Sequence, residues 1–270
     1  MRGTLLAIFI TGICAACLAQ KIVFSLVDRH EILDRRANAP SSNQDRARRI
    51  ETFFTDSGCR DAWLSEQKWS ETEAPNIICK LPGETSQTIV VGAHYESSTS
   101  AQRPVDNWSA ASLLPGIFQA LHSRKRHHTL VFVAFADQGN QTAGADFFLK
   151  SLSRAQTHHV EAMVNLDALG FSPTKVWTAH SDKDLVHSLV VTMYALKISA
   201  SQVDLESSGV SDSEPFAAQH VPQITIHSMT QEDLENGRAS QFRPANYYDT
   251  YRLLCGYMAY LDETLKPRPH

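Results

Sequence analysis

His94 and Asp106 are the residues whose types and spacing first suggest chemistry, and the chemistry is metal binding. His94 follows the β-branched run Ile89-Val90-Val91 and then Gly92-Ala93, so it stands where a buried strand runs out into a loop. Asp106 precedes Asn107, Trp108 and a small, apolar run (Ala110, Ala111, Leu113, Leu114) that reads as the first turns of a packed helix. An imidazole and a carboxylate offered from two loop ends at one sheet edge make half of a zinc shell, because zinc takes neutral nitrogen and anionic oxygen together. The competing reading is structural: a hydrogen-bonded His at a strand end and an Asp that caps a helix.

Those loop ends need a sheet behind them. Trp63, Ile77 and Ile78 outline the first strands, and Leu81-Pro82-Gly83 turns the chain into a strand over 88–91. The unbroken apolar run 130–135 suits a strand buried on both faces. Further strands are expected over 162–166, ending in Asp167, over 175–179 and over 223–227, with helices over 113–123, 143–152, 183–196 and 247–261. This alternation predicts an α/β fold with a mostly parallel, mixed central sheet and helices on both faces. One or two helices within 20–54 cover the sheet and turn their arginines to solvent. The pairs His127-His128 and His158-His159 read as exposed turns.

With 43% hydrophobic and 20% charged residues the composition is that of a globular protein, and one domain over 20–270 is expected. A net charge of -4 leaves no basic footprint, which argues against nucleic acid as a partner. Residues 1–19 combine Arg2 with an apolar run that closes on small residues, the pattern of a secretory signal, and the run is too short for a membrane span. Cys17 follows two alanines, but Cys14 sits where lipid-modification sites usually carry Leu, which argues against an anchor. Processing leaves Cys59, Cys79 and Cys255. Cys59 and Cys79 flank the segment between the first helix and the first strand and could pair in an oxidising compartment, while Cys255, within an apolar helix, reads as a buried free thiol.

Six segments taken in order carry a resemblance: GAHYES (92–97), VDNWSAASLL (105–114), TLVFVAFADQGNQTAGADFF (129–148), MVNLDALG (163–170), SDSEPFAAQHVPQITIHS (211–228) and YYDTYRLL (247–254). Together they resemble metallopeptidase family 28, the secreted zinc aminopeptidases, whose relatives include glutamate carboxypeptidases and glutaminyl cyclases. The resemblance spans 46–265 and implies a zinc-aminopeptidase/phosphorylase-like architecture. It also implies a centre in which two zinc ions activate a water while a glutamate takes its proton. By this resemblance Asp106 matches the carboxylate that bridges the ions, and His94 and Asp167 complete one of the two sites. Glu96 stands where relatives carry an Asp that supports the His ligand, or is a surface carboxylate.

The other half of the centre departs from the family. With Phe135 and Gly144-Ala145 fixing the register without a gap, the places of two adjacent glutamates hold Gln138 and Gly139. Gln138 thus replaces the expected base, and a carboxamide cannot shuttle a proton; glycine offers no ligand. The segment that carries the last His ligand in relatives is shortened here, with Arg238 nearest, and a guanidinium does not coordinate zinc. His227 is expected to make a structural hydrogen bond, and Asp212 to line the cleft or serve as an ordinary loop residue.

The expectation is therefore a secreted zinc-aminopeptidase-fold protein that is catalytically impaired or inactive. It would hold at most one zinc ion, at His94, Asp106 and Asp167, and a peptide or small-molecule ligand in the inherited cleft. The alternative is an active single-metal aminopeptidase or hydrolase that removes N-terminal residues of peptides, with Asp137 or Asp212 as base. A third reading has no metal, with Arg238 bridging Asp106 or Asp167.

Overall fold

The computed structural model describes residues 23–68, 74–96, 107–136, 142–202, 211–230, 232–233 and 241–268. The polar N-terminal region forms two helices, α1 (Arg29–Ala37) and α2 (Asn43–Asp56), the second capped by the Ser42 hydroxyl, which accepts from the Asp45 amide at 3.1 Å. Strands β1 (Leu64–Gln67), β2 (Asn76–Leu81) and β3 (Thr88–His94) follow. The helix expected over 113–123 is two helices, α3 (Asn107–Ala111) and α4 (Leu114–Leu121), the second beginning where Pro115 fits a first turn that needs no amide donor.

Strand β4 (Thr129–Phe135) is buried at every residue, as an apolar run without alternation demands. Next come α5 (Ala143–Ser151), α6 (Arg154–His158), β5 (Val160–Asp167), β6 (Lys175–Val176), α7 (Lys183–Leu196), β7 (Ser201–Gln202), α8 (Glu214–Ala218), β8 (Gln223–His227) and the C-terminal α9 (Pro244–Thr264). α7 starts where Asp182 accepts from the amides of Asp184 and Leu185. The strand expected over 175–179 stops at Val176, because the chain turns: His180 N–H donates to the Trp177 carbonyl at 3.3 Å and the two rings pack 4.3 Å apart.

The eight strands lie in the order β1-β2-β4-β3-β5-β8-β6-β7. The four central strands β4, β3, β5 and β8 are parallel, β2 and β6 pair antiparallel at their flanks, and the sheet is therefore mixed as expected. Side chains alternate across it. Ile89, Val91, Ala93, Leu130, Phe132 and Ala134 face the larger core with residues of α2, α4 and α9, while Val90, Val131, Val133 and Phe135 pack with Phe148 of α5 and Phe216 of α8. Among the described residues no helix is long and apolar enough to cross a membrane.

Two expectations about charge are corrected by burial. His128 is fully buried, not an exposed turn residue: its amide donates to Asp262 Oδ1 at 2.8 Å and its Nδ1 pairs with the Asp262 carbonyl at 2.9 Å. Arg126 lies in the same interior knot, with Asp262 Oδ2 3.7 Å from its guanidinium and the Leu121 carbonyl accepting from its Nε at 2.9 Å. Arg35 on α1 is buried too, held by Glu31 and by the Gln119 side chain at 2.7 Å. His127 and His158 are exposed. Cys59 and Cys79 form a disulfide, and Cys255 is a free thiol whose pKa burial pushes up.

Candidate metal centre

The parallel order brings strand C-termini together, and the candidate residues ride on them. His94 ends β3, Asp167 ends β5 and His227 ends β8, with β5 between the other two and Asp167 in register with His227. Asp212 approaches from the turn before α8. His94 Nδ1 donates to Asp212 Oδ2 at 3.0 Å, and His94 Nε2 faces Asp167 Oδ1 at 4.0 Å. Asp212 is buried to 2% side-chain exposure, whereas Asp167 is 39% exposed.

Backbone geometry tightens the same corner. Ala168, directly after Asp167, has φ +43°, a left-handed conformation that a non-glycine residue holds only under constraint. The constraint is Ser228 after β8, whose amide and hydroxyl both donate to the Ala168 carbonyl, at 3.2 and 2.9 Å. Asn107 at the head of α3 donates from its side chain to the Glu96 carbonyl at 3.1 Å, which ties the end of β3 to the helix that follows. Glu96 itself is buried, not a surface carboxylate.

The electrostatics follow from burial and from the two acids. Burial alone would lower the His94 pKa, but the hydrogen bond and charge of Asp212, with the charge of Asp167, raise it to about 10. Burial raises that of Asp212, and the pairing with His94 opposes the rise. Burial lowers His227 to about 4 against the pull of Asp167, so its ring is neutral at physiological pH. His227 Nδ1 accepts from the Met229 amide at 3.2 Å, the expected structural bond, while Nε2 is buried without a partner among the described residues.

Asp167 Oδ1 is likewise buried and without a hydrogen-bond partner among the described residues. His94 Nε2 and Asp167 Oδ1 face each other at 4.0 Å, within twice a zinc–ligand bond of roughly 2.1 Å, a separation that a protonated ring paired with the carboxylate also gives. Of the three ligands that the resemblance implies, His94 and Asp167 are within the described residues and lie side by side. Among the described residues no three His, Cys, Asp or Glu side chains stand together as a complete shell. Asp106, Asp137, Gln138, Gly139, Arg238 and the 1–19 signal segment lie outside the described residues.

Asp212 is the residue that sequence reasoning underrated. It is 118 positions from His94, and nothing in the local sequence distinguishes it from any other Asp ahead of a short helix. Its position as a base is also disfavoured here, because its carboxylate is engaged with His94.

Comparison with known proteins places this corner in context. The model of peptidase family M28 matches residues 76–252. A probable leucine aminopeptidase of Arthroderma otae is 27% identical over 136 residues, 46% of this chain and 36% of that protein, so the chain spans about a third of that relative's length. Among solved structures, the LapA aminopeptidase of Legionella pneumophila superposes with TM-score 0.67 at 14% identity, over 92% of this chain and 79% of its own. A glutaminyl cyclase from an Acidobacteriales bacterium gives 0.69 at 13%, over 87% and 94%. The zinc aminopeptidase BSAP of Bacillus subtilis gives 0.59 at 18%, over 68% and 49%. The structural likenesses establish the shared fold, and the family model, which covers most of the chain between β2 and the middle of α9, establishes membership: this chain belongs to peptidase family M28.

Proposed function

We propose that the chain is a secreted member of the zinc-aminopeptidase fold whose catalytic centre is impaired, with His94, Asp106 and Asp167 holding at most one zinc ion. That ion would supply Lewis acidity toward a carbonyl oxygen in the cleft. Around it, His94 would offer Nε2 and Asp167 would offer Oδ1, which has no hydrogen-bond partner among the described residues, while Gln138 can give or accept a hydrogen bond but cannot carry a proton from water to a leaving amine. Loss of a general base alone costs on the order of 10² to 10⁴ in rate. A peptide or small-molecule ligand is the occupant that such a cleft retains.

The observation that carries the reading is the clamp on the two flanks of the segment that contains Gln138. One carboxamide, that of Asn76, accepts from the Ala136 amide at 2.8 Å and donates to the Gly144 carbonyl at 2.9 Å. A Cβ on Gly144 would lie 2.2 Å from the Ala136 carbonyl oxygen, so only glycine lets the two segments approach this closely. Both flanks of the 137–143 stretch are thereby held, which supports Phe135 and Gly144 as the anchors of the gapless reading that assigns Gln138 and Gly139 to the two acidic positions. A signal over 1–19 agrees with the Cys59–Cys79 disulfide, which needs an oxidising compartment.

The test is metal analysis of the purified mature protein together with an aminoacyl chromogenic assay. One equivalent of zinc or less, lost on His94→Ala, with turnover near background, is the expected result. Turnover in the usual enzyme range that vanishes on His94→Ala would overturn the impaired reading and favour an active single-metal aminopeptidase.

A further inference from the structure

We propose that Asp212 is the positioning residue for His94, and that it takes this part in place of the nearby Glu96 by holding the Nδ1 proton so that Nε2 faces Asp167. The ring makes a 3.0 Å bond at Nδ1 to Asp212 Oδ2, and that bond leaves the opposite nitrogen 4.0 Å from Asp167 Oδ1. A ring nitrogen carries one proton and donates one strong bond, so the Nδ1 partner decides which way the imidazole points.

Asp212 can do this because its turn is pegged to the sheet. On either side of it, the Ser211 and Ser213 hydroxyls pair with each other at 2.9 Å, and each reaches the Thr225 hydroxyl of β8 at 3.2 Å. Asn165 of β5 donates from its side chain to the Ser211 hydroxyl at 2.9 Å. Asn165 and Thr225 are register partners, so the pegs stand side by side on two adjacent strands. Behind the turn, Phe216 of α8 is fully buried against the side of the sheet that carries Val90 and Phe135. The carboxylate is therefore fixed from two strands and one helix, while Glu96 belongs to the chain leaving β3, held there through its own carbonyl by Asn107. A buried, braced carboxylate orients a ring better than one on the same departing segment as the ring itself.

The pairing stands apart from any ion; only its consequence for zinc rests on the reading of His94 as a ligand. Two measurements separate these. In metal-free, ¹⁵N-labelled protein, a proton bonded between Nδ1 and a carboxylate gives a strongly downfield resonance, assigned as His94 by its absence in H94Q. It is expected to persist in E96Q and, in D212N, to move upfield or to be lost to solvent exchange. Competition with a chromophoric chelator should then show zinc held roughly 10- to 100-fold more weakly by D212N than by the parent protein.

A resonance unchanged in D212N, or lost in E96Q, overturns the proposal. A resonance that responds as expected in a protein that takes up no zinc upholds the Asp212 pairing and defeats the zinc reading instead. Should D212N fail to fold, D212E carries the same test, since displacing the carboxylate by one methylene must shift the resonance if Asp212 is the partner.

Discussion

Removing the Cys59–Cys79 disulfide is the sharpest test of how the sheet edge is held. The bridge joins the end of α2 to the second strand, and Cys79 lies between Leu64 of β1 on one side and Phe132 of β4 on the other. β1 pairs with β2 over four residues and, among the described residues, with no other strand, so the bridge restrains an edge of the sheet. The two cysteines are 20 residues apart. Closing a loop of that length in the unfolded chain removes roughly 11 cal/mol/K, which at 25 °C is about 3 kcal/mol of stabilisation in the chain-entropy account. For a domain of this size that corresponds to a fall of roughly 6 to 12 °C in Tm. Both sulfurs are buried among apolar neighbours, so the C59A/C79A variant loses a little packing as well. Guanidinium unfolding of parent and variant reads the free-energy difference, and hydrogen exchange should show protection falling first across 64–67. A loss below about 1 kcal/mol, with β1 as protected as before, would refute the reasoning and place the edge's stability in its packing alone.

Two further outcomes follow from buried charge. Asp262 has no solvent exposure and holds both the His128 amide and the Arg126 guanidinium, so Asp262→Ala strands a buried cation and should cost about 3 to 5 kcal/mol in chemical unfolding; a change under 1 kcal/mol would show that Arg126 finds other acceptors. For His227, the folded pKa of about 4 lies below an unfolded value of about 6.5, so the unfolded chain binds the extra proton between those values. Its contribution is present above pH 6.5 and is lost as pH falls toward 4, with a ceiling of about 3 kcal/mol. His227→Gln should therefore flatten the acid limb of the stability–pH curve of chelator-treated protein, and an unchanged limb would move the acid sensitivity elsewhere.

Local pattern was enough wherever one face or one run decided the outcome. The apolar run 130–135, the helix that Asp182 caps and the strand ending in His227 are legible because burial and capping leave their marks within a few residues. The same holds for His94 and Asp167, which show themselves as polar residues at the ends of apolar strands. What local pattern does not carry is the choice of neighbours. His128 reads as part of a basic, exposed turn because its partner, Asp262, is 134 positions away on the last helix. Asp212 reads as a loop residue because the ring it orients is 118 positions earlier.

Sheet order is the step that converts one kind of information into the other. β3 and β8 are separated in sequence by nearly half of the chain, yet both pair with β5, so three strand ends converge and the turn before α8 is carried over them. Once that order is known, the corner follows from chemistry. A His flanked by two acids, one buried and pegged, the other with an oxygen that has no hydrogen-bond partner among the described residues, is arranged to present one nitrogen in one direction. The Asn76 carboxamide ties the end of β4 to the start of α5, accepting from the Ala136 amide and donating to the Gly144 carbonyl, and so holds the two anchors on which the proposed register of Gln138 and Gly139 rests. The fold therefore stands independently of the proposed impairment, which Gln138→Glu tests: a rise in aminoacyl turnover is expected if the missing base is what limits the centre, and unchanged turnover would place the limit elsewhere.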